Sequence, residues 1–206
     1  MNKKAVILDL DNTIYPVSSI GHELFQPLFK LITESGEYTG DLERIKQEIM
    51  RKPFQKVATE YRFSGQLTGK GVALLQELTY DKEMFAFEDY KELKTIPCKK
   101  FLVTTGFTRM QQSKVKRLGI EQDFEEVHIV DPQLTDRTKK DVFKDIIDRH
   151  QFNKPDVLVI GDDPTSEIQA AKELGFDAVL YDRMNFNQNI SNLHRITDFK
   201  QLYDFL

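Results

Sequence analysis

A single cysteine, Cys98, occurs in 206 residues, so no internal disulfide is available. Sitting beside Pro97 just before an apolar run, it reads as a small structural residue suited to a reducing compartment. The four histidines, His22, His128, His150 and His194, share no ligand-like spacing, which argues against a zinc site. No basic block is present. The 29 lysines and arginines are interspersed with 33 aspartates and glutamates for a net charge of −4, which leaves no footprint for a nucleic-acid polymer or a membrane surface. The first apolar run follows only Lys3 and Lys4 and is stopped by Asp9, so it predicts neither a signal peptide nor a transmembrane span. Internal repeats and low-complexity tracts are also lacking. The expectation is a cytoplasmic protein long enough to bury roughly 70% of its unfolded surface, as one generous domain or a core with an insert.

What the chain does have is a short apolar run that ends in acid. Ala5-Val6-Ile7-Leu8 puts four apolar residues in succession, two of them β-branched, as in a strand buried on both faces. Asp9-Leu10-Asp11-Asn12-Thr13 follows at once. In an open α/β sheet ligands bind outside the carboxyl ends of the strands, and this is where the two carboxylates fall. Period-two geometry aims Asp9 and Asp11 the same way. Like charges in a partly desolvated cleft repel and raise each other's pKa, a conflict that a divalent cation removes. Hard oxygen donors completed by substrate phosphate suit Mg²⁺. With a metal holding it ionised, Asp9 is a candidate nucleophile towards phosphorus. Taken alone, Asp9 to Asn12 also fits a polar turn after an edge strand.

Downstream, Tyr15-Pro16-Val17-Ser18-Ser19 reads as a loop in which Ser18 or Ser19 caps a helix. Ile20, Leu24, Phe25, Leu28, Leu31 and Ile32 recur at helical spacing, with Pro27 as a kink or boundary. A turn at 36–40, a helix capped by Asp41 and carrying Leu42, Ile45 and Ile49, and helical pieces at 54–61 and 72–78 follow. Residues 14–92 thus predict an inserted helical cap domain, with 1–13 and 93–206 as the core. From Phe101 strands and helices alternate. Strands are expected at 101–103, 127–130, 157–160 and 178–180. The intervening helices are one ending at Gly119, one starting near Thr138 with Asp141 as capping-box partner, and one ending at Gly175, before a terminal helix at 199–206. The pattern predicts an α/β fold, a Rossmann-like doubly wound parallel sheet with helices on both faces.

Several strand ends carry the residue types that phosphoryl transfer needs. Thr104 offers a hydroxyl, and Thr105-Gly106 at the helix entrance offers backbone N–H groups, to a phosphate oxygen. Lys139 at a helix start supplies a fixed positive charge. Asp162, with Asp163 and Glu167 close behind, continues the metal theme. Each has an ordinary reading as well: a turn threonine, a solvated lysine, acids favoured by a helix N-terminus.

Four ordered blocks together resemble the haloacid dehalogenase-like (HAD) hydrolases: Asp9-Leu10-Asp11-Asn12-Thr13, then Leu102-Val103-Thr104-Thr105-Gly106, a helix-start lysine, and Gly161-Asp162-Asp163 through Glu167-Ile168. The resemblance implies a Rossmann-like core with a helical cap of the family's first class. It implies Asp9 as the nucleophile forming an aspartyl-phosphate and Asp11 as general acid/base, with the Asp11 backbone carbonyl also on Mg²⁺. By the same resemblance Leu10, Thr104, Thr105, Gly106 and Lys139 bind phosphate, and Asp162 is the acidic metal ligand. The second aspartate favours a phosphomonoesterase over carbon–halogen cleavage. Three departures stand out: no lysine-proline pair in the third motif, which keeps Lys140 as an alternative to Lys139; Glu167 where aspartate is usual, acting through water or a hydrogen bond; and Thr105 where asparagine is common.

The leaving group would be read by the cap and by the loop Tyr15-Pro16-Val17-Ser18. Tyr15-Pro16 is similar to members resembling pyrimidine 5′-nucleotidases, and Phe25, Phe29 and Tyr61 are aromatic enough to stack on a base, although such spacing also describes a core. The expected substrate is a small phosphorylated metabolite, nucleoside 5′-monophosphates included. A sugar-phosphate mutase using the same intermediate, and a catalytically weak HAD-fold binding or regulatory protein, are the alternatives.

Overall fold

The computed structural model describes residues 3–206. Six parallel strands form one sheet: β1 (Ala5–Leu8), β2 (Lys99–Thr105), β3 (Glu126–Val130), β4 (Val157–Gly161), β5 (Asp177–Tyr181) and β6 (Arg195–Ile196), in the spatial order β3-β2-β1-β4-β5-β6. The chain builds outwards from β1 in one direction and then in the other, so β1 and β4 flank the point where the winding reverses. The run Ala5–Leu8 is wholly buried because each face has its own layer. Val6 and Leu8 join one hydrophobic cluster, whereas Ala5 and Ile7 join another that contains Val142, Phe143 and Ile146. This is the two-sided burial that a continuous apolar strand requires.

Between β1 and β2 lie α1 (Gly21–Leu24), α2 (Gln26–Ser35), α3 (Leu42–Ile49), α4 (Phe54–Glu60), α5 (Gly65–Glu77) and α6 (Tyr90–Thr95). After β2 come α7 (Thr108–Leu118), α8 (Lys139–His150) and α9 (Glu167–Leu174). Asp41 caps α3 through the Arg44 N–H at 2.8 Å, and Thr138 and Asp141 form a reciprocal capping box on α8. Among the described residues, no helix is long and apolar enough to cross a membrane.

The differences from the sequence expectations have local causes. The expected first helix divides at Phe25, because Pro27 has no N–H to give and is tolerated only in a first turn. Ser18 and Ser19 lie within a 3₁₀ turn, Val17–Ser19, and Ser19 donates to the Pro16 carbonyl, so neither caps a helix. Ser64 starts α5 well before Val72. The terminal helix is a 3₁₀-helix, Phe199–Asp204, in which Phe199 and Leu202 repeat at a spacing of three to reach the core. Strand β6 has only two residues, too few for any periodicity. The edge strand β3 also carries an unforeseen cluster, in which His128, His150 and Arg149 all hold Glu126.

Two glycines of α5 separate packing from propensity. A Cβ on Gly71 would stand 2.4 Å from the Phe54 ring, whereas one on Gly69 meets nothing within 4 Å. Gly69→Ala is therefore expected to stabilise the protein by about 0.5–1 kcal/mol. Gly71→Ala gains the same propensity but overpacks a buried ring at about 1–3 kcal/mol, for a net loss. Urea unfolding that shifted both midpoints in the same direction would contradict this packing.

Candidate active site

At the carboxyl ends of β1, β2 and β4, three adjacent strands, Asp9, Thr104 and Asp162 face one cavity of about 140 Å³. Lys139 enters from the first turn of α8. Its position follows from helix register, since Lys139, Val142, Phe143 and Ile146 share the buried face at spacings of three and four. The Lys139 ammonium lies 2.5 Å from Asp9 Oδ1 and also contacts Glu167 Oε1. Lys140 points outwards to Glu173 at 2.7 Å, whereas Lys139 lines the cavity.

Burial is the largest influence on Asp9. Together with the negative charges of Glu167 and Asp11 it raises the carboxyl to about 7, against the pull of Lys139. Burial also raises Asp162, with Asp9 and Glu167 adding to it. For Lys139 burial acts downwards, but the charges of Asp9 and Glu167 outweigh it and hold the ammonium protonated. Glu167 is buried, and its Oε2 has no hydrogen-bond partner. Its extra methylene fits because Gly161 has no side chain: a Cβ there would stand 2.8 Å from Glu167 Cγ.

A corner with two buried carboxylates, Asp9 and Glu167, the half-buried Asp162, one lysine and an unpartnered oxygen is chemically suited to a hard cation. Among the described residues no ready-made group of three metal-ligating side chains exists. The carboxylates of Asp9 and Asp162 and the backbone carbonyl of Asp11 would hold the ion, with water and phosphate completing it. Asp163 is engaged elsewhere, since its Oδ1 accepts from the Thr165 N–H and hydroxyl at 2.7 and 2.8 Å.

Asp11 is tied into a network that motif reading missed. Lys114 Nζ approaches its two oxygens at 2.9 and 3.1 Å. The Tyr15 hydroxyl donates to Oδ1 at 2.5 Å, and Gln111 Nε2 donates to Oδ2 at 3.0 Å. Burial would raise the Asp11 carboxyl, but Lys114, Tyr15 and Gln111 outweigh it and lower its pKa. Gln111 Nε2 also reaches Thr104 Oγ1 at 2.7 Å and the Thr105 carbonyl at 3.3 Å. The signal was present in the sequence: Gln111 and Lys114 lie on the buried face of α7 with Met110 and Val115, where polar residues need partners.

Other expectations are adjusted by geometry. The Gly106 N–H donates to the Val130 carbonyl at 3.1 Å, which removes it from the donors available to a phosphate. Asp131 receives the Thr108 N–H and hydroxyl at 2.7 and 2.8 Å and so occupies the start of α7. Leu10 is fully buried, with its carbonyl accepting from the Ile14 N–H. From the loop after the first motif, Val17 lines the cavity, whereas Tyr15 is buried beneath Asp11. Phe25 lines the cavity as well; Phe29 and Tyr61 are buried in the core outside its lining.

Lys114 is buried and Asp11 half-buried, so their pairing is partly shielded from solvent. A double-mutant cycle of Lys114→Met and Asp11→Asn on unfolding stability should give a coupling energy of about 1–3 kcal/mol. Additive effects would mean that the ion pair contributes nothing.

Residues 3–175 match the haloacid dehalogenase-like hydrolase family. The glyceraldehyde 3-phosphate phosphatase of Methanopyrus kandleri is 24% identical over 196 residues, covering 85% of this chain and 82% of its own. Among solved structures, the haloacid dehalogenase-like family protein SP0104 of Streptococcus pneumoniae has a TM-score of 0.72 at 19% identity over 99% of both chains. YfnB of Bacillus subtilis, solved bound to magnesium, has a TM-score of 0.63 at 17% identity over 99% of this chain and 98% of its own. At such identities the structural likeness shows a shared fold. The family match extends through most of the sequence, and the chain belongs to the haloacid dehalogenase-like hydrolases.

Proposed function

We propose that this protein is a Mg²⁺-dependent phosphatase that hydrolyses a small phosphomonoester through a phosphorylated Asp9. The observation that carries this reading is the convergence of Asp9, Thr104 and Asp162 from adjacent strand ends, with Lys139 bonded to Asp9. Asp9 attacks phosphorus as the bond to the leaving oxygen breaks. The Thr104 hydroxyl and the Lys139 ammonium meet the phosphoryl oxygens, where negative charge is greatest. Bound Mg²⁺ supplies further charge neutralisation; Asp9, Asp162 and the Asp11 carbonyl suit it, and YfnB, which shares the fold, binds magnesium.

Asp11 rests as a carboxylate, the form that takes a proton from the water attacking phospho-Asp9. Protonation of the leaving oxygen requires Asp11 to gain a proton and turn from Lys114. Residues 14–92 serve as the cap, because Val17, Phe25, Ile49 and Phe54 line the cavity opposite the strand ends. At about 140 Å³ the cavity is below the ~300–1,000 Å³ usual for drug-sized ligands. This favours a leaving group of a few carbons over a nucleoside. The Methanopyrus kandleri relative, named for a three-carbon phosphate, supports the same size class.

Turnover of a phosphomonoester panel should require Mg²⁺ and cease with EDTA, and Asp9→Asn should lower kcat at least about a thousandfold. Activity persisting in Asp9→Asn, with deamidation excluded, would remove Asp9 as nucleophile. Asp11→Asn should cost about 10²–10⁴-fold on alkyl phosphates and much less on p-nitrophenyl phosphate, whose leaving group needs no proton. Equal losses on both would remove the acid role.

A further inference from the structure

Four cations line the cavity: Lys139, Lys114, Lys52 and Arg51. Three of them are neutralised within the protein. Lys139 is held by Asp9 and Glu167, Lys114 by Asp11, and Lys52 by Glu48 at 2.5 Å and Glu60 at 3.1 Å. The Arg51 guanidinium has no carboxylate or side-chain hydrogen-bond partner among the described residues. It lies instead over the ring of Phe186, 3.9 Å from the centroid.

This stacking fixes where the charge sits. Arg51 belongs to the turn between α3 and α4, whereas Phe186 lies in the segment between β5 and β6. Phe186 is itself anchored, its N–H donating to Asp182 Oδ1 at 2.8 Å. The next residue, Asn187, donates through Nδ2 to the Asp162 carbonyl at 2.9 Å. The platform beneath Arg51 is therefore tied to the loop that carries the metal-site aspartate. A stacked guanidinium uses its face and leaves the N–H donors on its edge free, in the fork that matches a carboxylate.

Resting on the phosphatase reading, we propose that Arg51 forms a second anion subsite and that the substrate is a small phosphomonoester whose leaving group carries a carboxylate. The phosphoryl end lies at Asp9 and Thr104, and the carboxylate meets the edge of Arg51 at the mouth. The small cavity limits the connecting chain to a few carbons. Arg51 thereby acts on specificity, and the chemistry at Asp9 proceeds without it.

The test compares 3-phosphoglycerate with glycerol 3-phosphate, which differ in having a carboxylate or a hydroxymethyl group, and uses p-nitrophenyl phosphate as an ester with no second anion. Wild type should favour 3-phosphoglycerate in kcat/KM. Arg51→Gln should lower that value roughly 10–100-fold, the scale of one charge-assisted contact, and leave the other two esters within about twofold. Equal kcat/KM values in wild type, or a parallel fall on all three esters in Arg51→Gln, would overturn the subsite. Binding to Mg²⁺-loaded Asp9→Asn, measured by calorimetry, provides a readout independent of turnover. Tighter binding of 3-phosphoglycerate than of glycerol 3-phosphate, lost when Arg51→Gln is added, upholds the subsite, and equal binding overturns it. If no ester is turned over by wild type, the phosphatase reading falls and the binding comparison alone decides the role of Arg51.

Discussion

An ammonium group taken out of water is costly by many kcal/mol unless anions and hydrogen bonds replace the solvent. Lys139 meets this requirement with Asp9 on one side and Glu167 on the other, and much of the surrounding structure follows from supplying them. Strand β1 must stop where Asp9 reaches the lysine, and α8 must start in the register that turns Lys139 inward with Val142 and Phe143. Strand β4 must end in a residue without a side chain, because Glu167 occupies that space. With both carboxylates ionised, negative charge exceeds that of the lysine, which suits the corner to a cation.

The second constraint is topological. Because the sheet winds first to β3 and then returns past β1 to β4, the first and fourth strands end side by side. A long helical segment can therefore be inserted after Thr13 without disturbing the strand ladder, since Lys99 already accepts the pairing with Ala5. The insert is fastened at its far end by Asp89, which is buried and accepts from the Tyr181 hydroxyl and the Phe199 N–H. The strand ends and α8 bring Asp9, Thr104, Asp162 and Lys139 to the cavity, and the helical segment adds Val17, Phe25, Ile49 and Phe54 to its lining.

Much of this was legible because strand ends are marked twice in the sequence, by the close of an apolar run and by the start of a polar one. Asp9, Thr104 and Asp162 carry both marks, and Lys139 is marked by the periodicity of the helix it begins. Gln111 and Lys114 carry only one mark, a polar residue on an apolar helical face, and their partner Asp11 lies some hundred residues away. No local pattern encodes such a pairing. Tyr15 stands directly after the first motif, in a loop expected to read the leaving group, yet its ring is wholly buried and its hydroxyl serves Asp11. Length also limits what can be read: β6 and the closing 3₁₀-helix are too short for a period to emerge.

Gln111 donates through one nitrogen to Asp11 and to Thr104. The group proposed to handle the proton and the group proposed to hold the phosphate thus share a single hinge. Movement of either is felt by the other through that amide. Evolution of a new leaving-group preference in this scaffold is consequently easier at the mouth, where Arg51 stands apart, than at the floor, where the parts can change only as a set.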